Sequence, residues 1–132
     1  MTNGQLITTV GRKAAMHRIF DAVPAYTAPS AFKVGTGTNT PGLGDTDLQT
    51  AITIGGSASK AISSGYPTFD DANMIITNRA ILLTTECNGN TISEFGLINS
   101  DGTPVLFSRA VFTGISKTAS VQVIFKQVDT LE

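Results

Sequence analysis

Residues of the kinds that do chemistry are few in this chain, and the glycine-rich stretch Phe32 to Thr46, FKVGTGTNTPGLGDT, is the first place to test for them. A phosphate-binding loop of the G-x-x-x-x-G-K-[ST] type needs a lysine to reach the phosphates and a hydroxyl to hold Mg²⁺. Gly37 and Gly42 have the glycine spacing, but Leu43 and Gly44 stand where those two residues must be. The dinucleotide pattern G-x-G-x-x-G fails at Thr40, where the third glycine should let helix and strand close together. Pro41, Gly42 and Gly44 also break any helix that should follow. The stretch reads as a structural turn, and no cofactor is expected in it.

The other candidates are single residues. His17 falls on the polar edge of a helical segment without a cysteine or acid at useful spacing, so it reads as a solvated or interfacial side chain. Cys87 ends an apolar run and reads as a small buried hydrophobe. One His and one Cys are too few soft ligands for zinc, and Asp70-Asp71 with Asn73 lacks the spaced array of a calcium loop, so no metal site is expected. Glu94 is different. It interrupts the apolar run ISEFGLI, where a buried carboxylate needs a partner, and Arg109 in the next run is the residue to supply one. With no second carboxylate beside it, Glu94 reads as half of a structural ion pair and no catalytic residue is expected.

The composition sets these residues in a weakly charged chain. Of its 132 residues 14% are charged, against roughly 25% in an average soluble domain, and the net charge is -1. The nine Lys and Arg residues are scattered, so no basic stripe exists for a nucleic acid. The start, MTNGQLITTVGRK, lacks the pattern of a classical export signal, and nowhere do eighteen apolar residues follow one another, so neither secretion nor a bilayer is expected.

The spacing predicts a helix over residues 9–21, capped by Thr8 or Thr9, with the i,i+4 pairs Ala15/Ile19 and Met16/Phe20 forming its apolar stripe. Pro24 and Pro29 enforce an extended arm, and residues 31–34 read as a strand entering the glycine loop. DTDLQTAITI reads as a turn of helix running into a strand. MIITNRAILLTTEC and TISEFGLI flank Asn88-Gly89-Asn90 and read as a hairpin. Asn99-Ser100-Asp101-Gly102 repeats the device before PVLFSRAVF, and TGISKTAS separates that run from the strand VQVIFKQV. The whole is predicted as one mainly β domain. Residues 1–30 form an N-terminal helix and arm, and residues 31–132 an antiparallel β-sandwich of jelly-roll or Greek-key type. In the last strand Val121, Val123 and Phe125 share the core face, leaving Ile124 outward; with Leu106 and Phe112 it is the expected subunit contact.

FKVGTGTNTPGLGDTDLQTAI and ISEFGLINSDGTPVLFSRAVFTGISKTASVQVIF together resemble a family of tailed-bacteriophage structural proteins, in which a GTGT loop precedes an EFGL…GT..F.R.VF…KT sheet. The pattern departs in the middle, where GGSASKAISSGYPTFDDAN (Gly55 to Asn73) has no typical counterpart and reads as an insertion for partner contacts. The resemblance implies a virion protein without catalytic signature. In it Gly35 and Gly37 turn the backbone at positive φ, Pro41 stiffens the loop, and Asp45 or Asp47 caps the turn that follows. The expected function is therefore a non-enzymatic component of a phage virion, made in the host cytoplasm. It would assemble as a symmetric homo-oligomer, a trimer, with other virion proteins at the tail, as a fibre or tail-tip attachment. Capsid decoration that stabilises the head is the alternative station. A module that binds a host surface glycan or receptor through residues 66–73 and the glycine loop is a further alternative, and a small hydrolase ranks last for want of a nucleophile and base.

Overall fold

A computed structural model describes residues 5–131. Positions 1–4, which begin the stretch read above for an export signal, lie outside the described residues. In chain order the elements are β1 (Gln5–Ile7), α1 (Thr9–Phe20), β2 (Ala31–Gly35), β3 (Ala51–Ile52), β4 (Lys60–Ala61), β5 (Thr68–Asp70), β6 (Ile75–Leu82), β7 (Thr91–Ile98), β8 (Leu106–Ser116) and β9 (Val123–Thr130). The fold is mainly β, with two antiparallel sheets and one short helix near the N-terminus, as the residue patterns predict.

The larger sheet runs β1-β8-β7-β2-β3, with β4 also paired to β2, and the smaller runs β5-β6-β9. Alternation along the strands puts Phe32 and Val34 of β2 and Phe95 and Leu97 of β7 into one core with Ala80 and Leu82 of β6 and Val123 of β9. Phe95 lies between Phe32 and Phe125, with ring centroids 5.8 and 4.9 Å apart. Each large side chain taken out of water here contributes about 1.5–3 kcal/mol, which makes this layer the main source of stability.

Thr8 starts the helix. Its extended backbone and its hydroxyl, which accepts the Gly11 N–H at 3.0 Å, form an N-cap. The same residue joins the helix to β8, its N–H donating to the Phe107 carbonyl at 3.0 Å and its hydroxyl to that of Leu106. The expected apolar stripe is not what α1 buries. Gly11 and Ala14 are buried, whereas Met16, Ile19 and Phe20 are 53, 74 and 81% exposed. A Cβ at Gly11 would lie 2.3 Å from the Phe107 carbonyl oxygen, so close helix-to-strand contact selects the smallest side chains rather than the largest apolar ones.

Four other expectations are corrected. The arm before residue 31 is not separate from the sandwich, because β1 pairs with β8 through Gln5↔Ala110, Leu6↔Arg109 and Ile7↔Ser108. DTDLQTAITI forms no helix, only β3 and a loop whose Leu48 is buried over Gly96. The Asn88-Gly89-Asn90 turn does not make a hairpin: β6 pairs with β5 and β9, and β7 with β2 and β8, so the chain crosses there between sheets. Cys87 and Gly89, at φ 56° and 83°, redirect it. Finally, TGIS continues β8 instead of ending it, with Gly114 lying against the Thr91 side chain. The segment Gly55 to Asn73 is joined to both sheets, through β4 on β2 and β5 on β6.

Candidate functional site

The loop after β2 does cradle an anion, and the anion is the protein's own. Glu94 on β7 is fully buried, and its Oε1 accepts the backbone N–H groups of Gly37 at 3.0 Å and Thr50 at 2.7 Å. Oε2 accepts the Gln49 N–H at 3.0 Å and two donors of Arg109, Nε at 3.0 Å and Nη2 at 2.8 Å. The expected pair of Glu94 and Arg109 is therefore formed. β7 and β8 place it: they are paired in register, with Arg109 opposite Gly96, two residues along β7 from Glu94.

Arg109, 1% exposed, also donates from Nη1 to Asp45 Oδ2 at 2.9 Å and from Nη2 to the Asn39 side chain. Asp45 in turn accepts the N–H of Gly42, three residues before it, at 2.9 Å, so it closes the turn that precedes it instead of capping the one that follows, and Asp47 accepts the N–H of Leu48 and pairs with Lys33. Pro41 sits half-buried within this loop. Loop, strand and helix meet here, since the Thr9 N–H donates to the Leu43 carbonyl at 2.8 Å.

Gly35 and Gly37 serve this arrangement for a reason other than the expected one. Neither is at positive φ, a conformation found among the glycines at Gly55, Gly56, Gly65 and Gly89. Close approach is what requires them: a Cβ at Gly35 would be 2.4 Å from both Glu94 Oε1 and the Thr50 carbonyl oxygen, and one at Gly37 would be 2.6 Å from Glu94 Oε1.

Burial pushes the Glu94 carboxyl up, but the Thr50 N–H, Arg109 and the N–H groups of Gln49 and Gly37 outweigh it, holding Glu94 below the usual carboxylate range. A depressed native value adds stability above the unfolded value, about 4.3, that is lost as pH falls through the native one. Unfolding free energy is therefore expected to drop below about pH 4. The check is urea denaturation at pH 7 and pH 3, in which Glu94→Gln is the weaker protein at pH 7 but shows a smaller loss on acidification. An equal loss in both proteins would remove Glu94 as the cause.

The remaining candidates are not brought together. His17, read above as having no acid at useful spacing, does have one four residues on: its Nδ1 lies 2.7 Å from Asp21 Oδ2 on the helix surface. Asp70 accepts both the side-chain and backbone N–H groups of Asn73, at 2.8 and 3.2 Å, and the side-chain bond is the chief reason its carboxyl stays low. Cys87 packs against the core with Sγ 3.4 Å from the Thr53 carbonyl; burial, then the Glu86 charge, pushes its thiol up, opposite to what a nucleophile needs. Of the expected subunit contacts, Leu106 is 1% exposed and sits over Gly96, so it cannot face a neighbour. Phe112 packs partly against the core, and Ile124 is 52% exposed.

The largest feature that residue patterns placed wrongly is at the end of α1. Met16, Ile19, Phe20 and Val23 present an apolar surface, Val23 being 87% exposed, beside Arg12, Lys13 and Arg18. The i,i+4 spacing had marked most of it, but as core. Among known proteins, no family model, curated sequence or solved structure matches the chain.

Proposed function

We propose that the chain is a non-enzymatic structural subunit of a tailed-phage virion, acting at the tail as a symmetric homo-oligomer. The observation that carries the assembly reading is the apolar end of α1: Met16, Ile19 and Phe20, with Val23 just beyond it, are each more than half exposed, and Phe20 and Val23 are the most exposed large apolar side chains among the described residues. Contiguous apolar surface of this kind needs a protein cover. The ionised groups support it from the other side, since the strongest cluster, Glu94, Arg109 and Asp45, is spent on holding a loop. The virion assignment rests on the sequence resemblance, which the loop and the β7–β8 hairpin carry. Low copy number per particle supports the tail, and high copy number the capsid.

Sedimentation of the protein and of Phe20→Asp tests the assembly. The native protein is expected to sediment as an oligomer and the variant as one 13.8 kDa chain with unchanged circular dichroism. Ile124→Asp probes the other exposed face; dissociation by that variant alone moves the contact to β9. A native protein that is monomeric at high concentration overturns the reading.

A further inference from the structure

A cavity lies between α1 and the small sheet, and none of the Glu94 cluster lines it. Its volume is about 300 Å³, and its walls are mostly apolar: Ala15 of α1, Phe69 of β5, Ile76 of β6, and Leu97 and Phe107. Four lining residues are polar, Asn78, Ser108, Gln127 and Asp129, and one of them stands out. Asn78 takes an inward position on β6, in line with the core residues Ala80 and Leu82, and is only 6% exposed. Its Oδ1 is buried without a hydrogen-bond partner. The polar neighbours do not serve it, because Ser108 Oγ donates to Gln127 Oε1 at 3.3 Å and Gln127 Nε2 to Asp129 at 2.7 Å.

A buried carboxamide left unsatisfied is costly, whereas an apolar residue at this position would continue the core at no such cost. Mostly apolar walls with a few polar groups are the usual make-up of a small-molecule site, and the Asn78 carboxamide is the polar group here whose oxygen has no partner within the protein. Cavities of about 150 Å³ take benzene, so a volume twice as large fits a molecule of two fused rings. We propose that this cavity binds a small, flat, mostly apolar molecule bearing one hydroxyl or N–H group, and that Asn78 is the residue that selects for that group. The site goes beyond the assembly reading and does not depend on it.

The test compares two probes of the same shape, 5-indanol and indane, titrated into the full chain while backbone amides are followed by NMR. A phenolic hydroxyl both donates and accepts, so it can pair with either end of the carboxamide. The expected result is saturable shifts at residues lining the cavity and roughly three- to tenfold tighter binding of 5-indanol, the worth of one hydrogen bond. Asn78→Leu should abolish the difference between probes, and Ala15→Phe, at an exposed helix position on the cavity wall, should weaken both. The proposal is overturned by the absence of saturable shifts with either probe, by equal affinities in the native protein, or by a preference that survives Asn78→Leu. Should that variant not fold, the ratio in the native protein decides.

Discussion

Arg109→Met is expected to cost about 3–5 kcal/mol of folding stability, read as a lower urea midpoint at unchanged slope. Arg109 is 1% exposed and Glu94 not at all, so removing the guanidinium leaves a carboxylate in the interior without its counter-charge. Methionine keeps the aliphatic part of the side chain, which makes the loss one of charge and hydrogen bonds more than of volume. Three donors to Glu94 remain, from Gly37, Gln49 and Thr50, but Asp45 loses its guanidinium partner as well. Adding Glu94→Gln to Arg109→Met should therefore cost less than the sum of the two single changes. Strict additivity would mean that the two side chains do not act as a pair.

Gly35→Ala is expected to be nearly as damaging, at about 2–3 kcal/mol, although it adds a single methyl group. The new carbon would lie 2.4 Å from the Thr50 carbonyl oxygen, which belongs to the backbone, and as near to Glu94 Oε1. Either the loop moves off β2 or Glu94 leaves its three N–H partners. Gly44→Ala, in the same loop with nothing within 4 Å of its would-be Cβ, is the control and should stay within about 0.5 kcal/mol of the native protein. Equal thermal midpoints for the two variants would show that the glycine loop tolerates side chains throughout, and the close packing described for it would be wrong.

Local chemistry was readable where a residue's need could be met only in one way. Thr8 as a cap fixes the start of α1, and a carboxylate inside ISEFGLI calls for Arg109. The β7–β8 hairpin follows from Asn99 to Gly102, with Asn99 itself buried and bonding the Val105 N–H at 2.8 Å. What stayed hidden depends on the partner across space. Asn88-Gly89 has the chemistry of a hairpin turn, but turn chemistry does not specify which sheet receives the next strand. Gly35 and Gly37 look like turn glycines because the carboxylate they make room for is nearly sixty residues away in sequence. The apolar pairs on α1 were legible as a stripe, yet their burial was not, since Gly11 and Ala14 allow a closer approach to β8.

The crossing between sheets also bears on how the chain is made. β6, with Ile75, Ile76, Ile81 and Leu82, has only three-residue β5 beside it until β9 emerges from the ribosome. Roughly forty residues separate the two, and at about 5–20 residues per second the wait is about 2–8 s. During that interval a β-prone apolar strand keeps an open edge, the condition under which nascent chains associate with one another. Yield of native protein should therefore depend on how quickly translation passes from β6 to β9, and a chain interrupted before Val123 would keep that edge open for good.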